Sequence, residues 1–520
     1  MSVSVQTLLR KHVLVIQKDG RLCEPTSDGK EILYKNNDDK KCKENKECKE
    51  CAECKYIDGI ISNIKIWEQE NKNNEKKILI FIHGGLNEFE NSYIRAKKLL
   101  FCESRNGEIL DNRIPDTIYP IFINWESGTF SAYKDYVCNI RQGDTFSGWK
   151  KSAWLVASPF LVLGDLGKGI ARLPYTSGYQ IQNYVQTQPD RHELATEKIN
   201  EWYTNPEKTG ATNNDNTVPV TVSDVEYKQH LDIKRLLIAV PESPFKLLSA
   251  MIIDAGGKGA WETMVRRTQT MFNAPDEFAE IIQLYAFMSK TAIANVERKA
   301  KEAAEKRVIP RHTGSLSKFM DKFDDYLKNS ANRNNYEITL IGHSMGTIVA
   351  NEILHRYNEF PFKHIVYMGA ACSINDFRVN VIPYLRNHSD GEFYNLCLHP
   401  FSEHRESHFC GLIPRGSLLE WLDNFLTSPN TTLDRRMGKW ENILRTSSII
   451  PNEVRERIYF KAFKQERPNK KSYKEKCEAC EECHKPLLQK PPENPGSPQK
   501  HSEFTDQIFW EKDFWDPKHQ

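Results

Sequence analysis

Three things are scarce in this chain of 520 residues, and each scarcity narrows what it can do. No run reaches the ~20 consecutive apolar residues that a membrane-spanning helix requires. No charge of one sign dominates: 72 lysines and arginines stand against 70 aspartates and glutamates. That balance gives nucleic acid no basic surface to bind and leaves no acidic tail. The opening residues, Met1-Ser2-Val3-Ser4-Val5-Gln6, lack the basic region, apolar stretch and small-residue cleavage site of an export leader. A cytoplasmic location is therefore the expectation, and with it reduced thiols rather than a disulfide framework for the thirteen cysteines.

What is present is Gly342-His343-Ser344-Met345-Gly346. It follows a run with strand character, Tyr336 to Ile341, and precedes a helix-like run, Thr347 to Leu354. A strand, a turn on a small-residue pentapeptide and a helix form the context in which a serine is held on a strained backbone with its hydroxyl projecting. The flanking glycines let strand and helix approach without Cβ clashes.

Around this turn the chain carries continuous apolar runs of the kind found in strands buried on both faces of a parallel sheet. They are Lys77 to Ile82, ending in His83-Gly84-Gly85; Tyr119 to Trp125; residues 336–342; Lys363 to Gly369; and Phe393 to Leu398. Intervals that can each hold one helix separate several of them, which is the logic of a mostly parallel central sheet with helices on both faces, an α/β fold. Lys11 to Gln17 and Gly59 to Trp67 read as further strands, and Asn36 to Lys55 as a polar loop. The interval from about 130 to 335 reads as helical, with Asp276 to Val308 and Ser315 to Lys328 as sustained examples. The expected division is 1–130 for the first strands, 131–312 for a large inserted helical cap, and 313–520 for the rest of the sheet domain. Within the cap, Ala153 to Gly164 is apolar but short, and Pro159 interrupts it. It reads as a buried cap helix or, alternatively, as an apolar lid touching lipid or a greasy substrate. Ser417 to Leu426 reads as a helix, and Phe509 to Trp515 as a closing helix that docks its aromatics.

A strand ending in His-Gly-Gly, a G-x-S-x-G turn between strand and helix, and a late histidine together resemble the α/β-hydrolase superfamily, with serine esterases and lipases among its members. The resemblance covers the sheet elements, about half the chain, and implies a catalytic triad in the order nucleophile, acid, histidine. Ser344 takes the place of the nucleophile and His501, in the polar loop before the last helix, that of the general base. The acid is expected after the fifth strand, where Glu403 comes first and Glu406 second; Asp376, after the fourth strand, is a third placement. The oxyanion hole falls on backbone N–H groups of Met345 and of Gly85 or Leu86. His343, on the wrong side of the turn to act as base, is expected to shape the elbow.

Two cysteine arrays stand apart from this chemistry. Cys48-x-x-Cys51-x-x-Cys54, with Cys42 upstream, is mirrored by Cys477-x-x-Cys480-x-x-Cys483-His484. Each offers four soft ligands suited to a structural zinc; incidental or redox-active thiols are the alternative, and serine chemistry requires no cofactor. The resulting expectation is a hydrolase that cleaves a carboxylic ester or related acyl compound, small or lipid-like, through an acyl-enzyme on Ser344. No nucleic-acid partner is expected, and contact with a membrane would be transient. An acyltransferase or thioesterase on the same residues, or a non-catalytic binding scaffold, are the competing readings.

Overall fold

The computed structural model describes residues 5–24, 31–32, 52–71, 75–85, 89–103, 109–138, 140–141, 144–145, 148–175, 178, 244–273, 314–329, 336–406, 416–427, 429–447, 449–463 and 498–516. Nine strands form one mostly parallel sheet in the order β13-β12-β11-β10-β4-β7-β1-β2-β3, with helices around it. The chain divides into two compact units, Met1–Leu100 with Ile114–Val162 and Gly259–Ile338, and Phe101–Arg113 with Leu163–Lys258 and Thr339–Gln520.

The first unit begins with helix α1 (Val5–His12) and strand β1 (Val13–Ile16), followed by β2 (Leu22–Glu24) and β3 (Glu31–Ile32). Helix α2 (Ala52–Glu70) leads into β4 (Lys76–Ile82), and helix α3 (Phe89–Leu100) follows. Strands β5 (Phe101–Glu103) and β6 (Ile109–Asn112) pair with each other in the second unit. Strand β7 (Ile118–Trp125) lies between β4 and β1, parallel to both. Strand β1 also pairs antiparallel with β2, and β2 with β3, closing this edge of the sheet. Ile80, Phe81, Ile82, Ile121, Phe122 and Ile123 are all fully buried, as strands covered on both faces must be.

One expected strand is a helix. Gly59 to Trp67 lies inside α2, whose buried residues Ile57, Ile60, Ile61, Ile64 and Trp67 recur at spacings of three and four. That period lays one apolar stripe along a helix, whereas a half-buried strand needs alternation by two. The start of the same helix also takes in Ala52 to Lys55, the end of the stretch expected to be a loop. Helix α2 packs on α7 (Ser315–Asn329), whose Leu316, Phe319, Met320, Phe323 and Leu327 are wholly buried. Polar contacts fix the pair: Lys318 Nζ bonds Glu53 at 2.8 Å, Ser315 Oγ donates to the same carboxylate, and Tyr326 Oη donates to Glu68 at 2.6 Å.

Between β7 and α7 the described chain holds helix α4 (Thr129–Cys138), the short pair β8 (Ile140–Arg141) and β9 (Asp144–Thr145), helix α5 (Gly148–Ala171) with Pro159 inside it, and helix α6 (Pro244–Thr270). The helical stretch expected at Asp276 to Val308 lies outside the described residues.

The second unit carries the remaining sheet. Strand β10 (Tyr336–His343) runs into helix α8 (Gly346–Arg356), and β11 (Phe362–Met368) into a helix over 374–387 whose middle is a π segment, Phe377–Val381. Strands β11, β12 (Glu392–Cys397) and β13 (Ile458–Ala462) are parallel neighbours. Helix α9 (Pro400–Arg405) follows β12, a helical stretch over 418–426 comes next, and α10 (Trp440–Ser447) precedes β13. The closing aromatics do dock: Phe509 and Trp515 are buried, and the Trp515 ring meets His364 and Tyr394 at 5.1 and 4.6 Å. Among the described residues no helix is long and apolar enough to cross a membrane.

Candidate active site

Ser344 turns the corner between β10 and α8 with a φ of 53°, the one non-glycine residue at positive φ among those described. An L-residue there carries a steric penalty on the order of 1–2 kcal/mol, so its neighbours must hold it. Backbone bonds do so from both ends. Ser344 N–H donates to Met368 O at the end of β11, at 2.9 Å. Its carbonyl accepts from Ala371 N–H at 3.2 Å, from Thr347 N–H at 3.1 Å and from Thr347 Oγ1 at 2.7 Å. The glycine two positions earlier has a steric reason: a Cβ on Gly342 would lie 3.0 Å from the Thr347 backbone, where α8 rests on the strand. Ser344 is 2 % exposed, and its Oγ makes no hydrogen bond among the described residues. Met345 follows at the head of α8, where helix N–H groups have no partner within the helix.

His501 is brought to this corner from far along the chain. It opens a 3₁₀ turn, His501–Asp506, and is buried. Its backbone is gripped on both sides. His343 Nε2 lies 3.0 Å from the His501 carbonyl, and since a carbonyl only accepts, the proton of His343 is on Nε2. On the other side the His501 N–H donates to Glu406 Oε2 at 3.0 Å. The rings of His343 and His501 lie 5.2 Å apart. The His501 ring also packs over Gly369, which has φ 53°; a Cβ there would come within 2.7 Å of Cε1 and 2.8 Å of Nδ1. Gly369 thus clears the space the imidazole occupies.

The three acid candidates separate. Glu406, just after α9, meets His501 at its main chain; burial pushes its carboxyl up to about 7, against the opposing pull of the His501 N–H and Lys500. Glu403 accepts instead from Ser417 Oγ at 2.8 Å. Burial, reinforced by the charge of Glu420, pushes Glu403 up to about 8. Asp376 caps the helix after β11: its carboxylate accepts from Ser373 N–H at 2.8 Å while its own N–H donates to Ser373 Oγ at 3.0 Å.

Glu403 borders a charge cluster whose members are buried except for Glu441, which reaches solvent. Lys439 Nζ lies 2.7 Å from Glu420 and 3.4 Å from Glu441, and His404 lies 3.4 and 3.3 Å from the same two carboxylates. Burial works against the charge on His404, yet Glu420 and Glu441 carry it up to about 9. Lys439 holds Glu441 well below the usual carboxylate range. His404, Glu420 and Glu441 could gather round a metal ion, but the cation seated between the two carboxylates is the Lys439 ammonium.

In the first unit, the His83-Gly84-Gly85 corner is locked to the end of β7. Trp125 N–H donates to His83 Nε2 at 2.9 Å, and Trp125 Nε1 donates to His83 O at 3.2 Å. Accepting at Nε2 fixes the His83 proton on Nδ1. Gly85 is half-buried; Leu86 lies outside the described residues. Glu126 accepts from Ser131 Oγ at 2.6 Å, and Arg267 bridges the Glu126 carbonyl and Asp135. Of the cysteine arrays only Cys54 is described, buried in α2; Cys42, Cys48, Cys51, Cys477, Cys480, Cys483 and His484 lie outside the described residues.

The His343 and Glu406 contacts to the His501 main chain have no signature in the sequence. The single legible sign was that His343 adjoins the serine and cannot serve as its base. No family model, no curated protein and no solved structure matches this chain.

Proposed function

We propose that this protein is a serine hydrolase that cleaves a carboxylic ester or related acyl compound, with Ser344 as nucleophile and His501 as general base. The observation that carries the reading is the backbone of Ser344, held at φ 53° on a strand-to-helix corner beside a histidine whose main chain is clamped in place. Residues held in strained, over-determined conformations cluster at functional sites, which is what supports a role for the Ser344 hydroxyl. In the proposed reaction Ser344 Oγ attacks the acyl carbonyl while the His501 imidazole takes its proton and returns it to the leaving group. Water then cleaves the acyl-enzyme by the same route. The Met345 N–H, at the head of α8, supports the developing oxyanion; one such donor is worth about 3 kcal/mol of barrier. Glu406 and His343 act on His501 through its main chain, as positioning residues.

The test is labelling of the full chain with a fluorophosphonate and location of the adduct by mass spectrometry. An adduct on Ser344 that is absent in Ser344→Ala and much reduced in His501→Ala supports the reading. A folded protein that takes no label, or takes it elsewhere, refutes it.

A further inference from the structure

Lys461 is a lysine where a packed strand would ordinarily hold an apolar side chain. It stands in β13 and is 4 % exposed. Lysines are almost never buried this far unless something receives their ammonium. Here the receivers are two main-chain carbonyls of the closing helix, Lys512–Trp515: Nζ donates to Phe514 O at 2.6 Å and lies 3.5 Å from Asp513 O. The last carbonyls of a helix have no partner within it, so a lysine placed there supplies the donor they lack. Phe463 and Phe514 present their rings to the same ammonium, at 5.2 and 6.0 Å. Burial pushes the Lys461 amine down to about 8, against the pull of Asp516 and Asp513, which leaves it a cation at neutral pH.

This fastening reaches the Ser344 corner by two routes. Along the chain, the closing helix is the far end of the segment that opens with His501 in its 3₁₀ turn. Through space, Phe463 stands two residues beyond Lys461 and so on the same side of the strand. Its ring stacks on Phe514 at 5.1 Å and meets Phe504 edge-on at 5.7 Å. Phe504 is buried in the His501 turn and lies 6.2 Å from the His343 ring. Phe463 thus links the held helix to the turn that carries the base. A methionine at 461 would fill the same space and hold neither carbonyl. We infer that Lys461 is a clasp: by fastening the closing helix it keeps His501 at the Ser344 corner, as a positioning residue acting through Phe463 and Phe504. Its part in the reaction rests on the reading of His501 as the base of Ser344.

Hydrogen exchange of the full chain, read by mass spectrometry beside fluorophosphonate labelling of Ser344, tests it. Lys461→Met keeps an apolar stem and removes the ammonium. The expected result is exchange over 501–516 faster by at least about tenfold, with β10 and β11 as slow as in the unaltered chain. Labelling should slow by at least about tenfold as well. Lys461→Arg, which keeps a cation and its donors, should recover part of both. Exchange over 501–506 as slow in Lys461→Met as in the unaltered chain overturns the inference. So does a uniform rise across β10, β11 and the turn, which is what a merely structural lysine would give, and so does labelling at the unaltered rate once the turn has loosened. An unaltered chain that takes no label at Ser344 refutes the hydrolase reading instead, and exchange over 501–506 then decides by itself whether Lys461 holds the turn.

Discussion

His343 reaches across to His501 and donates from Nε2 to its main-chain carbonyl at 3.0 Å, so one imidazole fixes the backbone of the other. Replacing His343 with Phe keeps the ring and removes the donor to a buried carbonyl. The expected loss of stability is about 0.5–1.5 kcal/mol, read by denaturant unfolding, together with slower fluorophosphonate labelling. His343→Gln restores a donor and should recover part of both. Equal behaviour of the two variants would show that the bond does not position His501.

At Ser344 the prediction separates backbone from chemistry. Ser344→Gly relieves a conformation that Ser344→Ala retains, so the glycine variant should be more stable than the alanine variant by about 1 kcal/mol. Both should be unlabelled. Comparing their unfolding midpoints in urea decides whether the corner is strained.

Gly369→Ala places a methyl where the His501 ring lies and forces an L-residue to φ 53°. The backbone penalty alone is about 1–2 kcal/mol. Displacement of the imidazole should also slow labelling by at least about tenfold, since small misplacements of reacting groups are expensive. A variant that labels at the original rate would mean the ring at Gly369 is not the base.

Glu406 gives a pH signature. Burial raises its carboxyl to about 7, so between its ordinary range near 4.5 and pH 7 the folded protein binds more protons than the unfolded chain. By linkage, its contribution to stability falls as pH rises through that window and levels off above it. Glu406→Gln should remove this decline while leaving an oxygen to accept from His501 N–H. Unfolding free energies from pH 4.5 to 7.5 test it, and identical slopes for the two proteins would contradict it.

Lys439→Met removes the ammonium from Glu420 and Glu441 and leaves His404 as their remaining cationic neighbour. Removing one member of a buried ionic set costs about 3–5 kcal/mol, visible in thermal or denaturant unfolding. A loss below about 1 kcal/mol would indicate that solvent already screens the group.

The sheet was legible wherever burial on both faces wrote a continuous apolar run. Lys77 to Ile82 and Tyr119 to Trp125 appear as β4 and β7 nearly to the residue, and the run before Ser344 appears as β10. Strand β13 escaped because Ile458–Ala462 is five residues long, carries Lys461 and leaves two residues half-exposed at the sheet edge. Helix α2 reads as a strand in the sequence because Gly59 and the Ile60-Ile61 pair mask its helical spacing over a short window. Ser344 and His501 could be named as candidates from motif and order alone. What grips His501 could not: Glu406 and His343 stand 95 and 158 residues away, and only the packing of α9 and the 3₁₀ turn brings them in.

The bond from Ser344 N–H to Met368 O has a consequence for how this corner moves. A reactive serine on a surface loop would open with the loop, on its own local clock. Here the amide is tied to the end of a strand whose residues Ile365 to Met368 are wholly buried. Its hydrogen can exchange with solvent only when β10 and β11 part, an opening close to unfolding of the unit itself. The Ser344 amide should therefore belong with the slowest-exchanging amides of the sheet, and the corner should stay rigid for as long as the protein stays folded.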